Sequence, residues 1–484
     1  MIEEQVKVHD KFSLEIKLGF MAKDISVNEF SVSTWIFVPN SLDINRWSYS
    51  KEEFYRDLKS NIRLITPVYL LEDIADKAKE PYQFLEKSIS RLTDVNDKEL
   101  TGAYEYHIRM HASIVKSALR EEIGYIIKKS GKDYHILIDK YIRNINTITS
   151  NYRSLRQQYA GSPVTRDNLL NYFLFGDEFL SNLIEQHTFK LLEGLKKRRH
   201  LTNDIAAKLM EVIQSEIRYK QDQGWPVVKK SGVEHNRVLV HRLSLLKKYA
   251  ENELFLNVVR RREGVWVEQV YFSIAAGISM IFATAIAFSF QRQYGSLTMP
   301  FFVALVISYM LKDRLKELAR YYLAHRWGRR FFDTKTKISL SGHDIGWHKE
   351  GMDFISEKKV PPEVMRMRDR SAILEAENRN NREQIILYRK LVRLNRESLN
   401  KVSPYPTAGM NDIIRFNVSN YVKKMDNPVV PLFVPEEGNR AGTVTGIKVY
   451  YLNLIMQFKH TDGIKYKRYR IVMNRSGIVE VERF

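Results

Sequence analysis

Two apolar runs sit near the middle of the chain: VYFSIAAGISMIFATAIAFSF at 270–290 and LTMPFFVALVISYML at 297–311. The first is 21 residues long, and Tyr271 is its one ionisable group. As a helix it reaches about 30 Å, the thickness of a bilayer's hydrocarbon core. The second run has 15 residues and no charge. Adding 293–296 brings it to about 28 Å, and Lys312 can snorkel at its end. Pro300 suits a first helical turn, where its missing N–H leaves no bond unmade. The pattern predicts a transmembrane helical hairpin with 291–296 as its connector. A re-entrant hairpin and a buried hairpin in a soluble helical domain are the alternatives.

Charge orients this hairpin. Arg260, Arg261 and Arg262 precede it; Lys312, Arg314, Lys316, Arg320, Arg326, Arg329 and Arg330 follow it; the connector carries Arg292. Cationic flanks stay cytoplasmic during insertion. The expected location is therefore the bacterial inner membrane, with both termini cytoplasmic. The net charge of +20 agrees with this, because an anionic inner leaflet attracts each juxtamembrane cation by about 1 kcal/mol. Residues 312–332 interleave cations with Tyr321, Tyr322, Trp327, Phe331 and Phe332, the pattern of a basic-aromatic helix along headgroups. The residues expected to meet lipid headgroups are Arg260, Arg261, Arg262, Lys312, Arg314, Lys316, Arg320, Trp327, Arg329 and Arg330. An anionic bilayer is the first partner implied.

Small residues mark where helices approach. Ala275, Ser279, Ala283 and Ala287 recur every four residues, Ser273 and Gly277 form a second pair, and Ala304 and Ser308 lie on the second run. In lipid, such residues let backbones pack closely. The stripe suits either packing within one hairpin or a homo-oligomer built through the hairpin.

The remaining chain divides by pattern. Residues 1–95 read as a small α+β domain: strands at 11–20, 30–38 and 63–71, and a short helix at 47–58. Residues 96–262 read as a helical bundle, with helices at 99–129, 134–159, 166–196, 201–220 and 234–259. The hairpin occupies 267–311 and the juxtamembrane helix 312–332. Residues 333–402 combine a glycine-punctuated segment with a charged helix at 363–399. Residues 403–484 end in a β-meander, with strands at 443–459, 464–473 and 478–484. Three strands alone are marginal, and a sheet shared with the N-terminal strands is one way to complete them that the sequence leaves open. The fold class is thus an α+β membrane protein, predominantly α-helical, with a two-helix transmembrane hairpin and small β-rich N- and C-terminal cytoplasmic regions.

Composition excludes much chemistry. The chain has no cysteine, so no thiol nucleophile, iron–sulfur cluster, thiolate zinc site or disulfide is available. No basic start followed by an apolar run marks a cleavable signal at MIEEQVKVHD. Lys, Asn and Ile richness suggests a bacterium with an AT-rich genome. No GxxxxGK[ST] loop, GxGxxG turn or GxSxG elbow occurs.

Weaker constellations remain. His107 and His111 share a helix face but lack the zincin glutamate, since Ile108 stands at its position. His343, Asp344 and His348 lie among glycines. Arg320 and His325 match the Arg-x4-His spacing of some helical ribonucleases. Lys465, Tyr466, Lys467, Arg468, Tyr469 and Arg470 interleave base-stacking and phosphate-attracting groups.

No cofactor or metal is expected. The leading functional expectation is a non-enzymatic integral inner-membrane protein whose cytoplasmic domains bind an unidentified partner or ligand, with a membrane-acting sensor–effector as its sharper form. A membrane-tethered nucleic-acid-binding protein and an enzyme with a scattered site are the alternatives.

Overall fold

The computed structural model describes residues 2–484 except 93–96, 130–133, 160–166, 264, 296–297, 328–331, 341, 381, 438–439 and 462. The chain forms two compact units. One takes Met1–Ile62, Asn257–Leu399 and Asn411–Phe484; the other takes Arg63–Leu256 and Asn400–Met410.

In chain order the elements begin with β1 (Ile2–Asp10), β2 (Ser13–Met21), β3 (Val27–Val38), α1 (Lys51–Asp57) and β4 (Leu58–Leu64). The helical stretch follows: α2 (Leu71–Ala75), α3 (Glu80–Ser90), α4 (Lys98–Lys128), α5 (Tyr134–Ser154), α6 (Asp167–Lys197), α7 (Asn203–Asp222) and α8 (Val233–Glu251). Next come β5 (Asn257–Arg262), α9 (Val265–Tyr294), α10 (Met299–Trp327), β6 (Thr334–Leu340) and β7 (His343–Ile355). The chain continues through α11 (Pro362–Arg368), α12 (Ala372–Asn380), β8 (Gln384–Asn395), α13 (Arg396–Val402), β9 (Gly409–Asn417) and α14 (Ser419–Val422). It closes with β10 (Val429–Glu436), β11 (Arg440–Ile447), β12 (Tyr450–His460), β13 (Gly463–Asn474) and β14 (Gly477–Arg483).

The sheet unit is a sandwich. An eight-stranded sheet runs in the order β14-β13-β12-β3-β8-β7-β6-β5, and a four-stranded sheet in the order β1-β2-β9-β4. Period-two alternation divides each strand between two faces. On β3, Val32, Thr34 and Ile36 point inward against Ile16 and Leu18 of β2, Ile414 and Phe416 of β9, and Leu454 and Met456 of β12. Trp35 and Phe37 point the other way, where Val360 and Val364 cover them together with Ile385 and Ile455.

The helical unit is organised around α6, which packs on α4, α7 and α8. Apolar side chains fill most of its core; Tyr152 and Phe173 stack with ring centroids 4.6 Å apart. Polar side chains of α6 are buried as well, and they are paired. Glu178 receives two bonds of 2.6 Å from Arg242. Asp177 and Glu216 flank Arg153 at 3.1 and 2.8 Å.

The expected fold class is corrected on two points. First, the β structure is neither small nor confined to the termini. Strands from the N-terminal, middle and C-terminal stretches share one eight-stranded sheet, and the fold is mixed α and β. The stretch expected as a charged helix at 363–399 contains β8. There Lys390, a charged residue at an inward position, masks a period-two pattern completed by Tyr388, Val392 and Leu394. The helix expected at 234–259 stops at Glu251, and Arg260, Arg261 and Arg262 lie on β5. The strand expected at 63–71 ends at Leu64, ahead of Pro67, which cannot donate to a ladder. The single strand expected at 443–459 is two, β11 and β12.

Second, a two-helix transmembrane hairpin is not supported. Among the described residues one helix, Gln269–Tyr294, is long and apolar enough to cross a membrane. The second apolar run does form a helix beside it. Its apolar part ends at Leu311, however, and the helix continues through Lys312, Asp313, Arg314, Lys316 and Glu317, too charged for a span. The polar connector's Ser296 and the run's first residue, Leu297, lie outside the described residues. So do Ser130 with Gly131, Gly161 to Pro163 and Asp462, which fall between helices or strands expected from the sequence.

Candidate anion-binding face

The helix pair α9 and α10 is an insertion between two neighbouring strands. β5 runs into α9, α10 leads back to β6, and β5 and β6 pair antiparallel from Asn257↔Ser339 to Arg262↔Thr334. At the root, Glu263 N–H donates to the Asp333 carbonyl at 3.1 Å, and Asp333 N–H donates to the Glu350 carbonyl at 2.7 Å. The Asp333 carboxylate accepts from Lys51 Nζ at 2.7 Å, Tyr55 Oη at 2.9 Å and Met352 N–H at 2.7 Å.

The small-residue stripe faces the neighbouring helix of the same chain. Ala275, Ser279, Ala304 and Ser308 are buried, and the Ser308 hydroxyl donates to the Ala283 carbonyl at 3.2 Å. Ala283 and Ala287 are half-buried, while Ser273 and Gly277 are exposed. The rest of α9 presents apolar surface: Ile278, Met280, Ile281 and Phe288 are all at least half-exposed. Only 11% of its apolar window is buried, which sets it apart from the core helix of a globular domain.

The cations singled out around this insertion divide into separate environments. Arg260 packs over the Tyr55 ring at 4.8 Å and lies 3.5 Å from Glu350. Arg261 and Arg262 are exposed on β5. Lys312 sits over Tyr309 at 3.9 Å, and Arg320 over Phe272 at 4.2 Å, also pairing with Glu317 at 3.4 Å. Arg314 and Lys316 lie on α10 beyond its apolar part. Arg329, Arg330 and the Trp327 side chain lie outside the described residues.

Sequence reasoning missed one basic surface of this unit. The outer faces of β5 to β8 form an open cleft of about 560 Å³ at one end of the large sheet. Strand register builds it. Val259, Lys337, Trp347 and Arg393 stand in one cross-strand row, and Arg261, Lys335 and Lys349 in the next. Gly346 lets β7 lie close to β8 here, since a Cβ would meet the Arg393 carbonyl oxygen at 2.3 Å. Lys335 and Lys349 sit 5.1 and 5.2 Å from the Trp347 ring centroid. Lys337 pairs with Asp344 at 2.5 Å, and Lys349 with Glu263. The lining cations come from three strands, β5, β6 and β8, that are well separated in sequence, so no local motif announces them.

Beneath this end of the sheet lies a buried polar cluster. Lys390 is fully buried and bonds Asp412 and, at 3.1 Å, Glu350. Tyr388 Oη donates to Glu350 at 2.5 Å, and Ser60 Oγ to Asp412 at 2.6 Å. Burial pushes the Glu350 carboxyl up, but Lys390, His348 and the Tyr388 hydroxyl outweigh it and hold the group at about 2. Burial dominates at Asp412 and raises it despite Lys390. Burial and then Lys390 push His348 down to about 3, so its ring is neutral. The void lined by Tyr388, Thr34 and Leu58 holds about 20 Å³, room for no more than a water. Lys390, Glu350, Asp412, Tyr388 and Ser60 pair with one another as a structural network, while the buried His348 Nδ1 has no hydrogen-bond partner among the described residues, and the void beside them has no space for a substrate.

The other constellations separate in space. His107 Nδ1 lies 2.9 Å from Tyr405 Oη, whereas His111 is buried with Nδ1 3.3 Å from the Pro81 carbonyl. Asp344 reaches the basic cleft while His348 is buried in the core. On β13, Tyr469 is buried and Tyr466 accepts from Gln457 at 2.6 Å, so the two rings offer no shared stacking surface. Comparison with known proteins finds no family model, no curated protein and no solved structure that matches this chain.

Proposed function

We propose that this is a non-enzymatic, membrane-associated binding protein of the bacterial inner membrane. Its apolar helix α9 engages lipid, and the basic sheet face beside it receives an anionic ligand. The observation that carries this reading is an adjacency along the chain: strand β5 carries Arg261 of the cleft and leads into the exposed apolar helix α9. An apolar helix surface of this size in water is costly at about 25 cal/mol per Å², and a bilayer removes that cost. The cations flanking α9 favour the cytoplasmic side, where anionic lipid is met.

The test is flotation of the full-length protein with vesicles of phosphatidylcholine and phosphatidylglycerol. Wild-type protein is expected in the floating fraction, and Ile278→Asp with Ile281→Asp at the bottom, with unchanged circular dichroism. Wild-type protein that stays at the bottom overturns the reading.

A further inference from the structure

We propose that the cleft lined by Arg261, Lys335, Lys337, Arg393, Trp347 and Asp344 binds a ligand carrying clustered phosphates. The proposal rests on the binding reading above and names the ligand class for the same face.

Four cations and one carboxylate line the cleft. Neighbouring strands lie about 4.8 Å apart, so cations in adjacent cross-strand positions repel one another. Arg261 opposes Lys335 directly across the β5–β6 pair. The single carboxylate, Asp344, is taken by Lys337. Arg261 and Arg393 are exposed and form no ion pair among the described residues, although Glu29 of β3 stands opposite Arg393 in the strand register. Such repulsion is relieved by an anion placed between the strands.

Arginine selects phosphate within that class. Its planar guanidinium offers a fork of donors that matches two phosphate oxygens. Arg261 and Arg393 sit on β5 and β8, at opposite sides of the cleft with Lys335 and Lys337 between them. A single monoanion reaches one of these positions; a run of phosphates spans them. The cleft's volume of about 560 Å³ suits a small molecule. Trp347 supplies an apolar wall, already approached by Lys335, against which a non-phosphate part can lie. The same chemistry is offered by a soluble polyphosphate-bearing molecule and by a lipid headgroup with two phosphates.

The experiment uses the full chain in detergent micelles. Calorimetric titration with sodium tripolyphosphate probes the soluble source, and sedimentation with phosphatidylcholine vesicles containing cardiolipin probes the headgroup. Saturable tripolyphosphate binding is expected, weakened at least about tenfold by Arg261→Glu with Arg393→Glu. Arg261→Gln with Arg393→Gln is the milder second pair, and thermal melts confirm folding. Lys229→Glu with Lys230→Glu, a basic pair outside the cleft, is expected to leave binding unchanged.

Arginine-dependent binding to cardiolipin vesicles without tripolyphosphate binding also supports the proposal and assigns the headgroup. Absence of tripolyphosphate binding together with no arginine-dependent gain from cardiolipin over phosphatidylcholine alone, or tripolyphosphate binding that survives both arginine pairs, overturns it. Failure of the membrane reading is seen separately, as wild-type protein that does not float with vesicles yet still titrates with tripolyphosphate.

Discussion

The backbone amide of Glu263 donates to the carbonyl of Asp333 at 3.1 Å, closing the β5–β6 pair where the helix insertion leaves and returns. Asp333 then anchors that closure through Lys51, Tyr55 and the Met352 amide. Replacing Asp333 by Ala leaves these donors without their acceptor. Asp333→Ala is expected to destabilise the sheet unit by about 1–3 kcal/mol. Urea denaturation followed by circular dichroism measures it, and a change below about 0.5 kcal/mol would argue against an anchoring role.

Lys390 is the charge that makes Glu350 and Asp412 tolerable in the core. Lys390→Met is expected to cost about 3–5 kcal/mol, because Asp412 loses its counter-charge and Glu350 keeps only Arg260, 3.5 Å away. Adding Asp412→Leu removes one of the stranded groups and should recover part of the loss. A double-mutant cycle by chemical denaturation reads the coupling; strictly additive effects would contradict the pairing.

His107, His111 and His187 contribute to the pH dependence of the helical unit. Burial pushes each ring down to about 4. Below the ordinary value of 6.5 the unfolded chain takes up a proton that the folded ring refuses. The stabilisation is therefore complete above pH 6.5 and falls as pH drops toward 4. Each ring contributes a slope of about 1.4 kcal/mol per pH unit within that window. Denaturation at pH 7.5, 6 and 5 should show the loss, and His111→Gln should reduce the slope by about 1.4 kcal/mol per pH unit; an unchanged slope in that variant would refute the assignment.

The Ser308–Ala283 bond puts α9 and α10 in close contact inside one chain. With no native cysteine, Ala283→Cys with Ser308→Cys should crosslink within a protomer through a short bifunctional reagent, seen as a mobility shift at monomer size. Ser279→Leu overpacks the contact at a cost of about 1–3 kcal/mol and should abolish the crosslink. Gly277→Leu, on the exposed face, should leave it intact. Crosslinks between protomers alone would reverse the assignment.

Helices of the second unit were legible because their amphipathic spacing repeats over many turns, as at Lys98–Lys128 and Asn203–Asp222. β8 was not legible, because Lys390 is inward-facing and its counter-charges come from β7 and β9. The cations at Arg260, Arg261 and Arg262 stood out in sequence as a membrane flank. Pairing β5 with β6 sends them to two faces instead: Arg260 to Tyr55 and Glu350, Arg261 to the cleft.

By itself the sequence determined the local quantities: the apolar length of α9, the small residues along it, the terminal meander and the absence of thiol chemistry. Each depends on neighbours within a few residues, through helix or strand period. Tertiary structure alone decided that the meander joins β3, that the helix pair is an insertion between adjacent strands, and that Arg261, Lys335, Trp347 and Arg393 share one surface. Those outcomes depend on the register between strands distant in the chain, which is set when their inward faces are buried together, and no local period encodes it.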